Sequence, residues 1–324
     1  MMSETQSENG MTCEVCTVTC QRFGKHRNGL RRFRCPRCKR TFTQAHSRVL
    51  ETMYISQDRA VMALQLLLEG NSVRSTERVT GMDRNTIMSL LVKAGKKCQH
   101  LMDEKLREIP VRDVEVDEIW GYVFKKEAHK FKHEEGNDQL GDAFCFIGLE
   151  SNSKLVLTYY LGKRNSESTD HFISRLALAT NNKIKFQLTS DGFGAYKPAV
   201  KSFLKKRVHF AQLVKVYASA TEGEQRYSPP EVVDALPEVV MGNPDPERIC
   251  TSYVERQNLS IRMGMRRMTR LTNGFSKKWE NLEAAYALWF AYYNWCRVHS
   301  SIRVTPCMEA GIENHIWTIA ELIA

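Results

Sequence analysis

Residues 111–123 read VRDVEVDEIWGYV, a run in which β-branched and aromatic residues alternate with acids. That composition predicts a β-strand. Alternate residues of a strand point the same way, so Val111, Asp113, Glu115 and Asp117 share one side, while Val114, Val116 and Glu118 line the other. Neighbouring carboxylates repel, and a buried one needs a cation, a metal or a proton. Taken alone, the run reads equally as a solvated edge strand or as part of a metal or catalytic site.

Two further strands follow, in AFCFIGLES and KLVLTYYLG, joined by connections that look like hairpins. The amphipathic helix SESTDHFISRLALAT comes next, then the strand KIKFQLTSDG, a helix, and the strand RVHFAQLVKVY. Three strands, helix, strand, helix, strand predicts a mixed α/β sheet with flanking helices, in the order of the ribonuclease H-like fold. Asp191 ends the fourth strand in LTSDGFGAY, a position that by itself suits an ordinary Asx turn as well as a site. Glu255, in TSYVERQNLSIR, shares a helical stripe with Asn258, Leu259 and Arg262, where a lone glutamate is commonly just solvated. Arg262, Arg266, Arg267 and Arg270 then form a basic run with no acid before Glu280, which favours contact with a nucleic-acid strand. The aromatic-rich KKWENLEAAYALWFAYYNWCRVH is expected to be a helix covering the sheet. Residues 217–248 hold five of the nine prolines and read as a long loop between the last strand and the Glu255 helix.

Upstream, the chain is strongly basic: 47 Lys plus Arg against 37 Asp plus Glu leave +10 over 324 residues, pointing to a polyanionic partner. The opening MMSETQSENG is a polar tail over 1–10, and no apolar run reaches spanning length, so a cytoplasmic, nucleoid-associated protein that makes no membrane contact is expected. Ten cysteines in such a chain suggest thiols or metal ligands. Cys13-x-x-Cys16 and Cys35-x-x-Cys38, eighteen residues apart, have the spacing of two knuckles around one structural Zn2+. Cys20 is a spare thiol, and His26 is a weaker candidate ligand. No acid interrupts residues 15–50, where Arg31 and Arg32 are among the candidate phosphate contacts of a zinc ribbon over 11–50. A purely structural or protein-binding knuckle is the alternative. Residues 55–98 read as three helices punctuated by Gly70 and Gly81, the last opening at Asp83. A short helix, a glycine turn and a second helix predict a helix-turn-helix, with Arg84, Asn85, Thr86, Ser89 and Lys93 as its reading face, although a plain three-helix connector has the same pattern.

Val116-Asp117-Glu118-x-Trp120-Gly121-Tyr122-Val123, Thr189-Ser190-Asp191-Gly192-x-x-x-Tyr196 and Val254-Glu255-Arg256-x-Asn258-Leu259-x-x-Arg262 resemble, in order, the three catalytic blocks of DDE transposases of the insertion sequence 1 family. Tyr293-Asn294, Arg297, His299 and Thr305-Pro306 look like the tail shared with related integrases, and the likeness runs from about residue 11 to 315. It departs at Gln257, where the founding member carries histidine. The resemblance implies a ribonuclease H-like catalytic domain over 110–316 in which Asp117, Asp191 and Glu255 hold two Mg2+ (or Mn2+) ions, with Arg262 the basic residue that follows. It also implies metal-dependent cleavage at the ends of a mobile element in double-stranded DNA, strand transfer into target DNA, and at least a homodimer. A DNA-binding regulator derived from a transposase would lack an acid, and a structure-selective nuclease would cut without joining.

Overall fold

The computed structural model describes residues 11–13, 15–25, 31–43, 49–50, 53–217, 232–270 and 272–324. The chain divides into two compact units, 1–54 and 55–324. His26 and the opening polar tail lie outside the described residues.

In the first unit, β1 (Gln21–Lys25), β2 (Arg31–Arg34) and β3 (Thr41–Thr43) form an antiparallel sheet in that order. Its core is made of sulfur: Cys13, Cys20 and Cys35 are buried, with Cys16, Val18, Phe33, Cys38 and Phe42 packed against them. Two equivalent turns present the cysteines. The amide of Thr17 donates to the Cys13 carbonyl (2.8 Å) and that of Lys39 to the Cys35 carbonyl (3.0 Å). Thr17 and Lys39, each four residues past its first cysteine, both take positive φ (54° and 63°). Non-glycine residues avoid that region, so something beyond local preference must hold both turns.

The second unit is built on a six-stranded mixed sheet. β4 (Asp113–Val123), β5 (Gly141–Glu150) and β6 (Val156–Gly162) run antiparallel. β7 (Phe186–Asp191) lies parallel to β4 on its other side, β8 (Val208–Tyr217) parallel to β7, and β9 (Val232–Met241) antiparallel at the edge. The order is β6-β5-β4-β7-β8-β9, which makes β4 the central strand bridging the antiparallel and parallel halves. The β4–β5 connection is longer than a hairpin turn, with two 3-10 turns at Glu127–His129 and Lys132–Glu134. β9 corrects the expected loop: 232–241 pairs with β8, while 218–231 lies outside the described residues. It carries Pro237, opposite Leu213. An edge strand needs donors on one side only and so admits proline.

Three helices open this unit: α1 (Gln57–Leu68), α2 (Val73–Thr80) and α3 (Arg84–Lys105). Ser56, Ser72 and Asp83 cap them, and Gly81 at φ 64° ends α2 in the left-handed conformation that glycine adopts without strain. α3 continues past Lys97, because Cys98 and Met102 keep its buried face going. That face lies on α7 (Trp279–Ala291), so closely that a Cβ at Gly95 would come 2.5 Å from Ala284 Cα. The helical segment thus shares one compact unit with the sheet.

α4 (Ser166–Ala179) and α5 (Tyr196–Phe203) connect the strands as expected, and α6 (Ser252–Gly264) carries Glu255. Tyr286, Trp289, Phe290, Tyr293 and Trp295 are buried, as a covering helix requires. Past α7 the chain makes a π turn over Tyr292–Cys296. There the buried Asn294 accepts from the Val156 amide (3.1 Å) and donates to its carbonyl (2.9 Å), pairing with edge strand β6 as a neighbouring strand would. Thr305 caps α8 (Pro306–Glu309), and α9 (Ile319–Ile323) closes the chain. Among the described residues no helix is long and apolar enough to cross a membrane.

Candidate metal centres and the acidic site

Asp117 lies on β4 and Asp191 ends β7, two parallel neighbours whose carboxyl-terminal ends therefore open on the same edge of the sheet. Asp117, Glu118 and Asp191 each place a carboxylate oxygen within 4.8 Å of the others. Glu118, assigned by strand alternation to the opposite side from Asp117, nonetheless joins it, past the last β4–β7 pair at Val116 and Ser190. The third expected ligand is not in this cluster. Glu255 forms an ion pair with Lys215 on β8 and accepts from the Thr251 hydroxyl (2.6 Å). It remains close enough for its charge to act on Asp117.

The contacts of each acid differ. Asp117 accepts from Asn258 Nδ2 on α6 (2.7 Å), and Asp191 accepts from the Phe193 amide (3.0 Å) in an Asx turn. Glu118 lies between Arg164 (3.3 Å) and the buried Tyr196 hydroxyl, and Arg164 also reaches Asp191 (3.9 Å) while lying 3.9 Å over the Phe193 ring. Burial pushes Asp117 up to about 7, and the charges of Asp191, Glu118 and Glu255 act in the same direction. Burial and Asp191 likewise push Glu118 up to about 7, against Tyr196 and Arg164. Asn258 Oδ1 is buried without a hydrogen-bond partner among the described residues, and Glu118 Oε1 and the Tyr196 hydroxyl are buried beside each other. Crowded carboxylates offering hard oxygen donors fit a divalent cation such as Mg2+ or Mn2+. Glu118 and Arg164 are the members that sequence reasoning missed. The acid beside Asp117 was a visible signal for the first, whereas nothing in the spacing singled out the second.

Glu115 is buried, with only 3% of it accessible. Its Oε2 accepts from the amides of Tyr253 (2.9 Å) and Val254 (3.0 Å), and Oε1 accepts from Ser151 (3.1 Å). The first-turn amides of a helix have no partner within it, and Thr251 at the cap position turns its hydroxyl to Glu255 instead. Glu115 therefore caps α6 from the neighbouring strand. Asp113 pairs with Arg248 (2.7 Å).

The basic residues divide. Arg262 donates to the carbonyls of Met268 (3.0 Å) and Trp120 (3.2 Å), so it ties α6 to β4 rather than presenting a free cation. Arg267 donates to Ser276 (3.0 Å), and burial pushes it down to about 10. Both guanidiniums therefore already hold acceptors of the protein itself. Arg266 and Arg270 are exposed, as are Arg84, Asn85 and Ser89 on α3, with Thr86 and Lys93 half-buried there. Leu259, expected on the site stripe, faces out, while Gln257 is buried.

In the first unit, Cys13, Cys16, Cys35 and Cys38 bring their sulfurs within 4.8 Å of one another. Against the burial that would raise it, the amides of Cys38 and Arg37 bring the Cys35 thiol down to about 6, while burial and the neighbouring thiols push Cys16 up to about 12. Four thiols that cannot all ionise together suit tetrahedral Zn2+. Cys20 is buried outside the four, and Arg32 and Arg34 lie over the Phe23 ring (5.5 and 5.1 Å), leaving Arg31 more exposed.

No protein-family model matches the chain, and no curated protein shows significant similarity to it.

Proposed function

We propose that the protein is a DDE transposase of the insertion sequence 1 type, cutting the ends of its element and joining them to target DNA. The observation that carries this reading is the convergence of Asp117 and Asp191 from adjacent parallel strands, with α6 bonded across to Asp117 through Asn258. The strand order, with three antiparallel strands beside two parallel ones, supports a ribonuclease H-like core.

Divalent cations bound here supply charge neutralisation at phosphorus and a water or hydroxyl of lowered pKa. Asp117 and Asp191 would hold them, with Glu118 next to both, and Glu255, paired here with Lys215, would be the third candidate ligand. Arg164, 41% exposed and paired with Glu118 and Asp191, would be a phosphate contact at this edge. Asn258 orients the Asp117 carboxylate, and Arg262 fixes the helix that carries Asn258 and Glu255 against β4. The chain's own contribution is positioning and charge for an in-line displacement. Asp117→Asn should abolish Mg2+-dependent nicking of DNA carrying the element's ends while binding persists. Full nicking by that variant would refute the proposal.

A further inference from the structure

Residues 265–267 and 272–277, with the first turns of α2 and α3 and one face of α7, line a groove of about 860 Å3 within the 55–324 unit. Arg74, Arg84, Arg266 and Lys277 stand exposed along it, and among the described residues no acidic side chain lines it. Met88, Leu91, Ala285 and Trp289 make up an apolar part of its lining, taken as the floor, with Arg267 beside Met88. Phe275 forms part of the wall, its ring 4.8 Å from that of Tyr122 and 3.4 Å from the Lys277 ammonium.

Charge and floor together narrow the occupant. A duplex backbone would engage the cations and leave the apolar floor unused. An apolar peptide would cover the floor and leave the cations unneutralised. A single-stranded nucleotide uses both, with phosphate against the arginines and lysine and its base against apolar and aromatic surface. The volume lies in the range of sites that enclose small organic ligands. The wall is also tied to the acidic site, because Arg262 holds both the Met268 carbonyl of this loop and the Trp120 carbonyl of β4.

We infer that this groove takes an unpaired nucleotide, at the end of or displaced from a DNA duplex that the protein holds. The inference rests on the DNA-processing reading above, and its test separates the two. Fluorescence anisotropy of the full chain is measured on two duplexes of one sequence, one blunt and one with a short unpaired tail containing 2-aminopurine. Ca2+ replaces Mg2+ to suppress cleavage. The tailed duplex should bind about tenfold more tightly, the value of stacking one base, with quenching of 2-aminopurine. Phe275→Ala, which removes the stacking wall, and Ala285→Phe, which fills the floor, should each bring the affinity ratio to about one with unchanged circular dichroism. Equal affinity of the wild type for both duplexes without quenching overturns the groove assignment alone, as does a preference that survives in both folded variants. Failure to bind either duplex, together with no nicking in Mg2+, overturns the functional reading and the groove with it.

Discussion

Replacing Glu115 tests whether one buried carboxylate holds the helix that brings Glu255 to the site. Truncation to alanine removes the acceptor for the Tyr253 and Val254 amides and for the Ser151 hydroxyl at once. Hydrogen bonds to a charged group contribute about 1.5–3 kcal/mol each, and a buried donor left unpaired costs about 1–3 kcal/mol. These terms overlap. Removing the carboxylate also relieves its own burial, which already raises the pKa of Glu115 and opposes the gain. A net loss of about 3 kcal/mol for Glu115→Ala follows from these overlapping contributions. Glu115→Gln keeps one carbonyl oxygen for the two amides and should lose about 1–2 kcal/mol, near the upper end for a helix cap. Urea unfolding at constant pH reads both values, and Mg2+ titration of nicking reads the site. Because Glu255 hangs from the capped turn, the alanine variant should need more Mg2+ for half-maximal nicking, with glutamine restoring most of the difference. If alanine and glutamine destabilise alike by under about 1 kcal/mol, or leave the Mg2+ dependence untouched, the capping argument fails.

Two further expectations concern the metals. Asp117 and Glu118, both raised to about 7 in the folded chain, keep protons there that the unfolded chain releases near 3.8 and 4.5. The native state binds more protons in that window, so metal-free stability should fall as pH rises from about 4 to 7. A divalent cation takes the place of those protons, and the Mg2+-induced shift in urea midpoint should therefore be larger above pH 7 than near pH 5; equal shifts would refute the assignment of these carboxyls. Stripping Zn2+ with a strong chelator should expose the basic segment around 21–43 to trypsin while the 55–324 unit stays resistant, since only the first unit has a core made of thiols. An unchanged digestion pattern would contradict a metal-held ribbon.

Much of the architecture was legible along the chain because it depends on local periodicity and punctuation. The strand-like runs became β4 to β8, three helices appeared between the glycine stops with Asp83 capping the last, and the aromatic-rich segment became the buried α7. Strand β9 was not legible: proline and acids mask an edge strand, whose register depends on a partner rather than on its own pattern. The site divides in the same way. Cysteine spacing and the three acid-bearing blocks identified Cys13, Cys16, Cys35, Cys38, Asp117 and Asp191, each of which lies in a cluster.

What a side chain meets across the fold was beyond reach from order along the chain. Asp113, Glu115 and Asp117 look interchangeable as alternate acids on one strand. The fold turns the first to Arg248, the second to the first turn of α6 and the third to Asp191. The run of arginines likewise looked uniform, yet Arg262 and Arg267 satisfy acceptors of the protein itself while Arg266 and Arg270 stay exposed. Residue types and spacing thus determined which groups are available for metal and phosphate chemistry. Tertiary structure alone decided which of them meet, because a carboxylate or guanidinium takes its role from the charges, amides and solvent that surround it after folding.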